Sequence, residues 1–175
     1  MKAKMLQIEL TAASEWENER DWTDLAERAA HAAISASSHA DLLSRNFALE
    51  VSVKLSDDSE VHSLNKAYRG KDKPTNVLSF PQVQPDLLET LANTDDGEAL
   101  LGDIILAYET CRAEASAKNV GFSDHITHLI VHGSLHLLGY DHENEIDAGL
   151  MENCEINALA TLGIANPYAE QAQSR

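Results

Sequence analysis

Cysteine is scarce in this chain, with only Cys111 and Cys154 among 175 residues. Two are too few for a disulfide framework and lack metal-binding spacing, so free thiols in a reducing cytosol are expected. No apolar stretch is long enough to span a bilayer. The first apolar run breaks at Glu9 with no cleavage site after it, which excludes a signal peptide and leaves a cytoplasmic protein as the expectation. Cations are also few, with 13 Lys and Arg against 29 Asp and Glu and a net charge of -16. That balance excludes diffuse electrostatic attraction for nucleic acid. Repeats and low-complexity segments are absent. What remains is an ordinary soluble composition, 43% hydrophobic, with enough length for one domain over residues 1–175.

The charge balance has a local exception. Lys66, Arg69, Lys71 and Lys73 lie within eight residues that contain one acid, Asp72. An acidic protein that handles RNA needs such a patch beside its chemistry and binds through a few placed contacts.

Periodicity gives a mixture of strands and helices. Strands are expected at 6–10, 47–55, 76–80 and 100–107, the second with the cleanest alternation. Helices are expected at 22–43, from about 58 through Tyr68, at 108–119, at 123–138 with Ser123 as cap, and at 143–162. Residues 82–97 are acidic, contain Pro85, and read as an exposed insertion with a short helix at 86–92. Residues 169–175 read as a frayed tail. The fold class is α+β: a single mixed β-sheet covered by helices, with a zincin-like helix carrying a metal site.

That site is the sharpest signal in the chain. His132 and His136 are four residues apart, which stacks both imidazoles on one helix face. Gly139 can end the helix in a left-handed turn, which returns His142 beside them. Three imidazoles with a fourth position left to water are the ligand set of a catalytic zinc, whereas structural zinc sites are usually closed and rich in Cys. His125 and His128 lie on the same stripe, so His128, His132 and His136 form an alternative set. A straight helix does not converge three rings spread over two turns, so the set closed by the turn is preferred, with His125 and His128 flanking it.

The spacing H-x-x-x-H-x-x-G-x-x-H is that of the metzincin peptidases. Gly133, however, stands where those enzymes carry a glutamate general base, which makes peptide hydrolysis a weak second choice. A closer match takes in three ordered segments. They are the run from Leu64 through Lys66-Ala67-Tyr68-Arg69-Gly70-Lys71-Asp72-Lys73-Pro74-Thr75-Asn76 to Pro81, then Leu101-Gly102-Asp103-Ile104, then the histidine motif. Together they resemble the bacterial rRNA maturation factor family YbeY, over about residues 51–163.

The resemblance implies a metal-dependent single-strand endoribonuclease with one zinc on His132, His136 and His142. It implies Arg69 as the functionally important arginine, and action on the 3′ end of small-subunit rRNA and in ribosome quality control. The expected partners are an rRNA precursor, the small ribosomal subunit and a basic ribosomal protein or assembly GTPase, with no membrane. The residues suit this chemistry. A zinc with an open position brings the pKa of its water to about 7. Arg69 offers a fork of donors that matches phosphate oxygens and stays charged. Lys71 and Lys73 are candidates for holding the RNA backbone. Asp141 and Asp103 are candidates for orienting a ligand imidazole. No residue identifies itself as the general base. Ser134 lacks the context of a nucleophile elbow, Tyr140 is either packing or a stacking platform for a base, and Asn76 and Thr75 are expected to serve the loop backbone.

Overall fold

Strand alternation decides which side of the sheet each residue serves, and this places the rest of the molecule. The computed structural model describes residues 6–16, 20–44, 48–88, 90 and 98–169. Strands β1 (Leu6–Ala12), β2 (Ala48–Ser56), β3 (Val77–Pro81) and β4 (Glu98–Ala107) form one sheet in the order β1-β2-β4-β3. The first two pairs are parallel, and β3 runs antiparallel to β4 at the edge. Among the described residues there are five α-helices: α1 (Trp22–Ala36), α2 (Asp58–Arg69), α3 (Tyr108–Lys118), α4 (Phe122–Leu137) and α5 (Glu145–Thr161). The expected α+β class, one mixed sheet under helices, is what the chain adopts.

On one face Ile8, Val51 and Gly102 lie in a row, followed by Leu10, Val53 and Ile104. The aliphatic members of these rows join α1, α4 and α5 in the main core. The other face carries Glu9, Ser52 and Asp103, with α2 covering only its β3–β4 side through Val61 and Leu64. Two glycines bring α4 down onto the sheet. A Cβ on Gly102 would lie 2.5 Å from Leu137 Cδ2 and 2.5 Å from the Phe80 carbonyl oxygen. One on Gly133 would lie 3.0 Å from Ser79 Oγ and 3.1 Å from Ile104 Cγ2. Helix and strands thus touch where neither can carry a side chain.

The N-terminal third supplies packing. The alanines of α1, among them Ala26, Ala29, Ala30 and Ala33, are fully buried and let that helix approach α4 closely. Trp16 donates to the Ser56 carbonyl at 2.8 Å and Trp22 to the Trp16 carbonyl at 2.7 Å. Their rings meet Phe122 at 5.5 and 5.9 Å, so the starts of α1 and α4 are clamped together. Each such aromatic pair contributes about 0.5–1.5 kcal/mol beyond its buried area.

Two helix termini and the segment 82–97 differ from expectation for reasons the residues supply. Helix α1 stops at Ala36 rather than continuing to 43, because Ser37 turns to extended backbone and its hydroxyl donates to the Ile34 carbonyl at 2.7 Å. A short 3₁₀ turn at Ala40–Ser44 follows. Helix α4 is entered from Gly121 without a side-chain cap, so Ser123 is already helical and its carbonyl accepts from Thr127. Within 82–97, Leu88 is buried in the main core and Pro85 packs at Gly139, so this segment starts anchored. Residues 91–97, and the expected tail beyond Ala169, lie outside the described residues. No helix among the described residues is long and apolar enough to cross a membrane.

Candidate metal centre

Helix α4 is buried along most of its length, and its last two turns deliver His132 and His136 to its wetter side. Gly139 follows with φ +94, and a Cβ there would also strike Pro85 at 2.9 Å. The turn is closed by Gly139 N–H on the His136 carbonyl and Tyr140 N–H on the Leu135 carbonyl, both at 3.0 Å. Asp141 then accepts the N–H of His142 at 2.7 Å, which sets the direction of the exposed third histidine. Ligand atoms of His132, His136 and His142 all lie within 4.8 Å of one another, so the three are positioned to bind a metal ion.

The hydrogen bonds around the rings say which nitrogen faces inward. His136 Nδ1 donates to the Tyr140 carbonyl at 2.9 Å, and His132 Nδ1 donates to Glu155 Oε1 at 3.0 Å. In neutral imidazoles both Nε2 atoms are then bare acceptors, and they stand 3.0 Å apart. Two lone pairs facing each other at that distance repel, and a shared cation turns the repulsion into coordination. Burial, followed by the neighbouring His132 and His142, pushes His136 down to about 4, so it is the neutral, metal-binding form that this site favours.

Glu155 was not foreseen. It is 1% exposed on α5, and its Oε1 also accepts from His128 Nε2 at 2.9 Å. Burial alone would raise its pKa, but the hydrogen bonds from His128 and His132 outweigh that and hold it at about 2. Its signal in the sequence is a carboxylate on the stripe Met151, Glu155, Ala158, Leu159, where helical spacing calls for apolar residues. His128 is therefore committed to Glu155, and His125 to Glu114 at 2.9 Å, which leaves both outside the triad.

The remaining candidates separate. Arg69 ends α2, is exposed, and donates to the Ser79 carbonyl at 3.4 Å. Ser79 is the residue that meets Gly133, so the guanidinium lies along the strand on which the motif helix rests. Lys71 and Lys73 follow in an exposed loop held by Asn65, whose Nδ2 donates to the Lys73 carbonyl at 2.8 Å. Asp72 is paired with His62 at 2.6 Å and so leaves Arg69 alone.

Asp103 does not orient a ligand. Gly102 and Ile104 face α4, so strand alternation turns Asp103 to the opposite side of the sheet, where it accepts from Gln82 at 3.3 Å. Asp141 bonds backbone rather than a ligand ring. Tyr140 is tethered through its hydroxyl to Ser38, and Asn76 bridges Glu114 and its own strand. Cys111 is buried, with its thiol pushed up by burial to about 12, while Cys154 is only half-buried; both are free.

Fold and site together define an α+β protein with three histidines positioned to bind a metal ion at the end of a buried helix. The sequence model of the family Endoribonuclease YbeY matches residues 11–163. An Endoribonuclease YbeY of Sphingopyxis alaskensis is 58% identical over 167 residues, 95% of this chain and 99% of that protein. One of Rhizorhabdus wittichii is 55% identical over 165 residues, 94% and 98% of the two chains. A solution structure of a Thermotoga maritima protein shares the fold with a TM-score of 0.54 at 23% identity, over 97% of this chain and 93% of that one. The chain belongs to the YbeY family.

Proposed function

We propose that this protein is a zinc-dependent endoribonuclease that cuts single-stranded RNA in precursors of small-subunit rRNA. Family membership makes it an RNA-cleaving hydrolase. The observation that carries the finer reading is the convergence of three imidazoles with no cysteine or carboxylate among them. Zinc–imidazole bonds of about 2.0–2.1 Å at tetrahedral angles separate ligand nitrogens by about 3.3 Å. The His132 and His136 Nε2 atoms, 3.0 Å apart, are close to that spacing. When bound, the ion supplies Lewis acidity toward a phosphate oxygen and acidifies water near neutral pH.

The chain's own groups do the rest. The hydrogen bonds at Nδ1 of His132 and His136 hold the rings so that neither must reorient when a ligand arrives. Arg69 keeps most of its N–H donors free beyond Ser79 and suits a phosphate whose charge grows during cleavage. Lys71 and Lys73 extend that cationic edge along an RNA backbone. The surface elsewhere is strongly acidic, which favours RNA docking at this one place and a basic ribosomal protein or an assembly GTPase as a further contact. Action in 3′-end maturation and ribosome quality control, in the cytoplasm, belongs to the same reading. A peptidase of metzincin type is disfavoured, since position 133 packs on β3 and β4 and has no room for a glutamate.

The test is metal analysis of purified protein together with cleavage of single-stranded RNA. Stoichiometric zinc and cutting that is lost in both His136→Ala and Arg69→Ala support the proposal. Cutting that survives both, or pre-rRNA 3′ ends that stay normal in cells carrying His136→Ala, overturns it.

A further inference from the structure

Glu155 is a carboxylate in the core, 1% exposed. A charge so placed persists only if its oxygens are filled. All of its partners are polar side chains. Oε1 accepts from His128 Nε2 at 2.9 Å and from His132 Nδ1 at 3.0 Å, and Oε2 accepts from the Tyr168 hydroxyl at 2.9 Å. Tyr168 comes from the segment after α5, and its ring also meets His128 edge-on at 5.9 Å. The carboxylate therefore stands between the end of the described chain and a ring of the metal triad.

A neutral imidazole has one proton to place. With Nδ1 against an anion, His132 places it there and presents Nε2 to the site. His136 reaches the same tautomer through a backbone carbonyl, which is uncharged. The two histidines on α4 are thus oriented by unequal means, and only His132 is hydrogen-bonded to a carboxylate.

We propose that Glu155 is the positioning residue of the metal centre, fixing the tautomer and ring plane of His132 and strengthening it as a donor, with Tyr168 and His128 holding the carboxylate in place. This deepens the metal reading of the three histidines and rests on it. It gives the C-terminal segment a task as well, since losing the Tyr168 hydroxyl loosens a site that Tyr168 does not touch.

The experiment uses the full-length metal-free protein, titrated with Co²⁺ alone and without RNA. Affinity is read by chelator competition and geometry by the visible absorption of the bound ion. Glu155→Gln keeps the size and one acceptor but removes the charge. It is expected to weaken Co²⁺ binding about 10- to 100-fold and to alter the spectrum. Tyr168→Phe, which destabilises the metal-free fold by leaving one buried oxygen unfilled, is expected to remain folded and to weaken binding several-fold, and it serves as the test should Glu155→Gln fold poorly. His125→Gln, on the Glu114 pair, is expected to leave Co²⁺ affinity unchanged. Unchanged affinity and spectrum in folded Glu155→Gln, or in Tyr168→Phe if only that variant folds, overturns the proposal. A parent protein that binds no Co²⁺ instead overturns the metal reading itself, so the two failures are told apart.

Discussion

Gly133 and Ser79 meet where α4 crosses β3, and the serine hydroxyl lies 3.0 Å from the place a Cβ on residue 133 would occupy. Ile104, fully buried, blocks the same spot at 3.1 Å. An exposed helical glycine replaced by alanine gains up to about 1 kcal/mol from propensity. Here overpacking of about 1–3 kcal/mol opposes that gain, because the buried Ile104 must shift by a few tenths of an ångström. Gly133→Ala is therefore expected to destabilise by about 1 kcal/mol in urea unfolding, and a more stable variant would show that the contact yields. Gly102→Ala is expected to cost more, because one atom it meets is the Phe80 backbone carbonyl.

Metal should stabilise the fold through the triad. Ligand present at 100 times its dissociation constant adds about 2.7 kcal/mol to a site absent from the unfolded chain. Zinc is expected to raise the melting temperature of the parent and to leave that of His136→Ala unmoved. A shift that persists in His136→Ala would place the ion elsewhere.

Much of this arrangement was legible in the residues. Alternation located β1 and β2, and Gly139, at positive φ, makes the turn read from the histidine motif. Asp103 was misplaced because a strand has two faces and sequence alone does not say which one meets a helix. The register of β3 on β4 settles that, turning Gly102 and Ile104 toward α4. Glu155 was missed for the converse reason. It lies 23 residues from His132, and only the packing of α5 on α4 brings them together.

Acid should weaken the metal-free fold. His136 is held down at about 4 from an ordinary 6.5, so the unfolded chain binds a proton there first as pH falls. Its contribution is complete above about pH 6.5, declines as pH falls, and is gone below about 4. Metal-free parent protein is expected to lose stability across that window in urea titrations, and His136→Asn to show a flatter profile. Equal slopes in the two proteins would remove His136 as the cause.

Tyr140 follows the glycine turn, and its hydroxyl accepts from the Ser38 backbone at 2.9 Å and donates to the Ser38 hydroxyl at 3.2 Å. Its carbonyl orients His136, so the tether ties the metal turn to the end of α1. Tyr140→Phe removes only the hydroxyl bonds and is expected to cost about 1 kcal/mol in unfolding free energy. A loss well above this would mean that the turn itself is released, and RNA cleavage would then fall with it.

Asn65 offers a way to test the proposed RNA-binding loop separately from the histidine cluster. It is 2% exposed, its amide donates to the Lys73 carbonyl at 2.8 Å, and its own carbonyl accepts from Lys71 at 3.2 Å. Loop residues 70–73 are thereby folded back on the last turn of α2, which carries Arg69. Asn65→Ala leaves the Lys73 carbonyl to water and loosens the loop at that point, the backbone bond from Lys71 remaining, at a cost of about 1 kcal/mol to the fold. If Lys71 and Lys73 hold the RNA backbone, KM for a single-stranded substrate is expected to rise several-fold while zinc affinity stays as in the parent. The three histidines sit on α4 and the loop after it, which this substitution does not touch. A fall in zinc affinity with unchanged KM would instead tie the loop to the histidines and leave RNA binding to other residues.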